Sequence, residues 1–407
     1  MAEADHPGLP LHGVRVVDAS RMLPGALATL LLADLGADVV KLEMPPRGDH
    51  QRDSAPAFGD VGAAFAALNR DKRSVCLDYR TPAGLAAVHR LLDTADVFVE
   101  NAIPGALRAR GLDYATLHAR LPRLVYCSVS SFGRSGPFAA RPGHGVSIDA
   151  EAGQVEVVDG PQGALLAAAM PGGGLRPSVL HAGHLAAMAV CAALRAVAVD
   201  GRGTQVDAAC WDAAAAADPY RAFQDLNGVV AAYGTSTARP SLSVFATADG
   251  RRLVVAAPDA ASWRRWCALL DRPDLEHAAG TEWVDRSGLP VRVYDELAAA
   301  VARRPLAEWA ELLTAERVPF GVVEGRDRFE SALARSRDIV RTAATERPVA
   351  DPAERVRWVG AAASFDGRRG RVDARPAPRL GADTVDLLAE VGLSSDEIAA
   401  ALGDRRG

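Results

Sequence analysis

The feature that most constrains this chain is a rhythm in its first 130 residues, where short β-branched runs alternate with helical stretches. The pattern predicts strands at 14–18, 38–43, 73–77, 97–99 and 124–129. Helical apolar spacing fills 24–36, which ends on Gly36, and 82–92. Strands separated by helices of this length pair in parallel and need helices on both faces, so an α/β class is expected. No GxGxxG follows the first strand, so the dinucleotide fingerprint is absent.

Beyond this region the pattern changes. Residues 136–177 are rich in Gly and Pro and read as long loops, which beside a rigid α/β body are a usual place for a site. A long helix is expected at about 179–199. Two β-type runs, 243–247 and 252–256, flank an Ala-Asp-Gly turn and predict a hairpin. Helices at about 260–270, 293–303 and 306–316 would complete a small α+β unit. A last helix is expected near 395–402.

Composition excludes some functions. Of 407 residues, 49% are hydrophobic and 24% charged, with a net charge of −5. That balance suits a globular enzyme and argues against a nucleic-acid surface, which needs concentrated Lys and Arg. The five cysteines are scattered with no CxxC pair, so neither a disulfide framework nor a zinc knuckle is expected. With no HExxH motif either, no metal is expected from His144, Asp149, His181 and His184. The first ten residues lack a basic and apolar leader, and His184 and Arg195 interrupt the most apolar run. The expectation is a cytoplasmic protein with no membrane partner.

Several phrases, in order along the chain, carry a resemblance. They include VRVVDASRMLPGALATLLLADLGADVVKLE (14–43), LNRDKRSVCLD (68–78), ADVFVENAIPGALRARGL (95–112), GRGTQVDAACWD (201–212), VPFGVV (318–323) and APRLGADT (377–384). Together they resemble the family III CoA-transferases of CaiB/BaiF type, a group that includes α-methylacyl-CoA racemase. The resemblance implies a large Rossmann-like CoA-binding domain from residues 1–224 and 326–407, with a small α+β domain at 225–325. It also implies an interlocked homodimer acting on an acyl-CoA thioester. The activity implied is transfer of CoA between carboxylic acids. Racemase, isomerase or lyase chemistry at the α-carbon is the alternative.

CoA needs cations, backbone donors and an apolar channel. The segment Asn69-Arg70-Asp71-Lys72-Arg73 offers three cations ahead of the strand that ends at Leu77, and in relatives this region lies beside the nucleotide. Asn101 matches a family position near the adenine or ribose. Arg108 and Arg110 flank the usual phosphate-binding arginine position, which here is Ala109.

The family's transferases use an aspartate nucleophile at the start of the long helix, which splits one difficult acyl transfer into easier steps. Alignment puts that position at Ser178 or Val179, where no carboxylate stands. Ser178 would need a base to activate it. Racemases of the family pair a histidine with an aspartate about the α-carbon. His144 matches that histidine, and Asp149 follows on the same segment. His181 lies on the first turns of the long helix. Asp259 matches a racemase glutamate position and equally suits the start of a helix near Ala260.

Overall fold

The alternation becomes a six-stranded parallel sheet in the computed structural model, which describes residues 8–155, 157–160, 163–166, 176–229, 242–278, 291–344, 355–371 and 373–403. From edge to edge the strands are Lys72–Cys76, Asp38–Glu43, Arg15–Asp18, Val97–Glu100, Val125–Ser130 and Gln205–Ala209. Within this sheet that is order 3-2-1-4-5-6, the doubly wound arrangement. The order reverses between Arg15–Asp18 and Val97–Glu100, and both strands lie in parallel register, Val17 opposite Phe98. The last strand, Gln205–Ala209, was not expected from the alternation. It is an edge strand whose outer residues stay exposed, so it lacks an apolar run.

Each face of the sheet is covered. On one side Val16, Val39, Val97 and Val125 pack with Ala28 and Leu32 of the helix Leu23–Asp34 and with Ala182, Ala186 and Val190 of the long helix Pro177–Asp200. Small residues let these two helices approach closely: a Cβ on Gly183 would fall 2.7 Å from Leu27. The long helix is apolar and long enough to cross a membrane by length and composition, yet one face of it builds this core. On the other side Val17, Val75 and Phe98 pack with Leu91 of the helix Pro82–Leu92 and with Leu387, Leu388 and Ile398 near the C-terminus. The C-terminal segment returns to the edge strand, where Cys76 N–H donates to Thr384 Oγ1 and Ser74 N–H donates to Asp383.

Two compact units emerge, Met1–Ala222 with Arg337–Gly407, and Phe223–Ser336. The second has its own core, in which Trp263, Trp266, Trp309 and Phe245 are buried. It carries an antiparallel sheet of Leu242–Ala246, Arg252–Ala256 and Phe320–Val322, which contains the expected hairpin.

The region 136–177 differs from its expectation. It contains a helix, Gly145–Glu151, and a hairpin of Val157–Gly160 with Gly163–Leu166; residues 167–175 lie outside the described residues. The helix is two turns long and buries only Ile148 and Asp149, too little for a 3.6-residue apolar period to register.

Candidate active site

In doubly wound sheets ligands bind beyond the carboxyl ends of the strands where the strand order reverses. Here that point holds residues 18–22 and 100–102. A hollow enclosing about 30 Å³ opens there, lined by Arg21, Leu42, Tyr79, Phe98, Asn101 and Leu107 among others.

The loop after the first strand is fixed from every side. Asp18 is fully buried and accepts from Ser20 N–H and from the Thr29 hydroxyl at 2.7 Å. Lys72 Nζ lies 3.1 Å from Asp18 and also donates to Thr29, Asn69 and the Ala26 carbonyl. Lys41 donates to the Ser20 carbonyl and lies 3.4 Å from Asp49. Asn101 clamps Arg21 twice: its Oδ1 accepts the Arg21 N–H at 2.9 Å and its Nδ2 donates to the Arg21 carbonyl. Met22 sits at φ 65°, strained for a non-glycine residue, with its N–H on Asp49 at 3.0 Å.

The charges in this network set its protonation. Burial alone would raise Asp18, but Lys41 and Lys72 with two hydroxyl donors outweigh it and hold the carboxyl at about 2. Burial pushes Lys72 down to about 8 against the pull of Asp18. Glu100 is buried at the end of the neighbouring parallel strand, where Ser128 and Arg134 donate to one oxygen and Ala102 N–H donates to the other.

The predicted nucleotide residues therefore separate. Lys72 is buried with its donors used inside the fold, and Asn69 is buried as its acceptor. Arg73 is half-buried between Asp38 and Glu390, and Leu77 is wholly buried. Asn101 lines the hollow, and Arg108 and Arg110 lie on the segment after it. Arg108 is exposed, while Arg110 stands 5.8 Å over the Tyr79 ring. Arg21 was missed, because its role comes from the strand order and from Asn101 rather than from a motif. A second, polar cleft of about 490 Å³ lies beside Arg47, Arg52 and Arg379, with Asp53 and Asp60; there Arg52 is engaged by Glu43.

The predicted catalytic residues separate as well. Asp149 and Ser178 are brought together: Ser178 N–H donates to Asp149 Oδ1 at 2.9 Å, and both residues are fully buried. His144 precedes the helix Gly145–Glu151 and is exposed, its main chain exchanging two hydrogen bonds with the Ser147 hydroxyl. His181 is exposed on the long helix. Asp259 caps the helix Ala260–Leu269, accepting from Ser262 N–H, and that bond lowers its carboxyl from the usual range. Among the described residues no three His, Cys, Asp or Glu side chains gather as a metal site would.

A doubly wound sheet with a hollow at the strand reversal defines an α/β fold of the doubly wound class, and the comparisons with known proteins specify the family. The model of CoA-transferase family III matches residues 11–384, so the chain belongs to that family and is an enzyme of CoA-transferase type. It is 30% identical over 406 residues to an acyl-CoA transferase of Fusarium pseudograminearum, covering 96% of this chain and 86% of that one. It is likewise 30% identical over 399 residues to the succinyl-CoA:glutarate CoA-transferase of Homo sapiens, covering 94% and 86%. Among solved structures, a CAIB/BAIF family protein from Brucella suis superposes with a TM-score of 0.76 at 27% identity, over 94% of this chain and all of that one.

Proposed function

We propose that this enzyme moves CoA between carboxylic acids, with the CoA nucleotide held at the strand reversal. The observation that carries the reading is the hollow between the loop 18–22 and Asn101, lined by Arg21, Tyr79 and Leu107, with Arg110 standing 5.8 Å over the Tyr79 ring. Tyr79 and Leu107, both partly exposed, suit an adenine face, and the arginines suit phosphates, which fork-shaped guanidinium donors bind in pairs. Asn101 positions Arg21 through the main chain. Succinyl-CoA appears in the name of the human relative, so dicarboxylic acids are the first donors and acceptors to try.

The working unit in this reading is a homodimer in the cytoplasm. The helix Pro219–Asn227 supports it, since none of its residues is buried and Tyr220, Phe223 and Leu226 stand 70%, 62% and 85% exposed along one side. A second copy of the chain would cover that apolar face. A second reading, proton transfer at an acyl α-carbon through His144, draws on the exposure of that residue one turn from Asp149.

The test is transfer of isotopic label from free acid into acyl-CoA, together with calorimetric titration of CoA and sedimentation of the protein. The reading expects label transfer, saturable CoA binding and a dimer. Incorporation of solvent deuterium at the α-carbon without acid exchange would favour the second reading. Absence of CoA binding would defeat both.

A further inference from the structure

One residue, Arg134, ties together the ends of three neighbouring strands. Glu100, Ser128 and Asp207 stand in one register row across Val97–Glu100, Val125–Ser130 and Gln205–Ala209. Residues in one row of a parallel sheet project from the same face. Arg134 reaches both outer members of the row: its N–H donates to Asp207 Oδ2 at 2.8 Å, and its Nη1 donates to Glu100 Oε1 at 2.8 Å. Ser128 completes the row, its hydroxyl donating to the same Glu100 oxygen at 2.7 Å. Among the described residues Arg134 is the one cation paired with Glu100, whose side chain is 1% exposed.

The same residue anchors a surface loop. Residues 131–144 leave the sheet one strand beyond the reversal and fold back on themselves, since a Cβ on Gly143 would fall 2.5 Å from Ser131 Cβ. Loops whose ends meet in this way are compact and often functional. No residue from 131 to 147 is buried, so polar contacts hold the segment in place of a core. At its base Gly133 N–H donates to Ser130 Oγ, and the Ser131 carbonyl accepts from Trp211 N–H, both at 3.0 Å. At its far side Arg141 pairs with Glu151 and lies 5.0 Å over the Phe132 ring. Arg134 joins this loop to the wall of the hollow. Glu100 lines that hollow, and its second oxygen accepts the Ala102 N–H at 2.6 Å. The residue between them, Asn101, is the one that clamps Arg21.

We propose that Arg134 is a positioning residue for the coenzyme: through Glu100 it fixes the turn at Asn101 and Ala102, and it couples the loop 131–144 to occupation of the hollow. The proposal rests on the CoA reading of the hollow given above. Arg134 acts through Glu100 and not on the ligand. Its charge offsets a buried carboxylate, and a buried carboxylate that loses its cation moves toward water or another donor. The Ala102 N–H then loses its acceptor, and the Asn101 clamp on Arg21 loosens with it. A loop already strapped to the pocket wall also lowers the ordering cost of binding. The effect runs in both directions. A ligand that holds Arg21 and Asn101 also holds Glu100, and through Arg134 the loop; linkage makes the two couplings equal.

The full chain tests this, with free CoA as the probe. In the wild type, added CoA should slow amide hydrogen exchange across 131–144 as well as at residues 18–22 and 100–102. Slowing at 18–22 and 100–102 with no change in 131–144 overturns the coupling. Arg134→Gln removes the charge and keeps an amide donor. Calorimetry should then show CoA affinity lower by roughly ten- to a hundredfold. Turnover at saturating acyl-CoA should stay within about threefold, so that the loss falls on KM and not on kcat. Arg134→Lys returns a cation and should recover most of the affinity. In an Asn101→Ala background Arg134→Gln should cost less than about twofold more, because both act on one clamp. Full additivity, an unchanged affinity in Arg134→Gln, or a loss carried by kcat alone overturns the proposal. If Arg134→Gln does not fold, the wild-type exchange pattern decides. A wild type that binds no CoA removes the reading of the hollow and this proposal with it. Binding without the coupled response removes the proposal alone.

Discussion

The loop after the first strand and the mouth of the long helix both bury charge, but they dispose of it differently. At the loop Asp18, Lys41, Lys72, Asn69 and Thr29 satisfy one another, and the result is a fixed scaffold that presents Arg21. At the helix mouth Asp149 and Arg176 each keep an unpartnered atom. The contrast teaches that a run of cations is not by itself a ligand site. Completed networks build the frame, and incomplete ones mark where a ligand is expected.

The largest expected effect breaks the completed network. Lys72→Met leaves the Asp18 carboxylate with one of its two buried cations, and removing one partner of a buried pair costs about 3–5 kcal/mol. Denaturant unfolding should register that loss, while CoA affinity of the folded protein holds. An unchanged unfolding midpoint with lost CoA affinity would instead return Lys72 to the ligand site. The same network sets an acid limit. Asp18 titrates at about 2 in the fold against 3.8 ordinarily, a lowered carboxyl. Its contribution, about 2 kcal/mol, is present above about pH 4 and is lost as pH falls toward 2. Asp18→Asn should flatten that part of the stability curve.

How legible this was in the sequence follows from the same physics. The parallel sheet announces itself because short β-branched pairs such as Val16-Val17 and Val39-Val40 recur between helical stretches, and a sheet covered on both faces buries them. The Asn69–Arg73 run was also visible, but not the destination of its side chains. Lys72 meets Asp18 across 54 positions of chain, and Arg73 meets Glu390 across 317. The juxtaposition of Asp149 with Ser178 was out of reach for a similar reason, since it depends on a two-turn helix with no apolar period. Arg21 had no motif at all; it becomes a candidate only once the strand order places it at the reversal.

A smaller effect sharpens the loop side of the comparison. Arg21→Ala removes a cation that the frame presents rather than consumes, so stability should hold while CoA affinity falls by about 1–3 kcal/mol, the scale of charge-assisted hydrogen bonds. Asn101→Ala should lose part of the same affinity, because the Arg21 main chain is then released. Titration calorimetry on both variants decides it. Equal affinity in wild type and Arg21→Ala would move the phosphates elsewhere, with the cleft at Arg47 and Arg379 the next place to look.

The smallest expected effect falls at the helix mouth, on His144. It stands exposed before the helix that carries Asp149, and in the transferase reading no step of the reaction moves a proton. Replacing it with alanine leaves the hydrogen bonds between its main chain and Ser147 in place, so the helix start is kept. Acid exchange in His144→Ala should therefore change by less than about tenfold, a cost under about 1.4 kcal/mol. A general acid or base at this position would contribute roughly 10²–10⁴-fold. Turnover is measured beside the sedimentation profile, so that a folding defect is not mistaken for chemistry. A loss in the larger range with the assembly intact would put proton transfer at the α-carbon in place of CoA exchange.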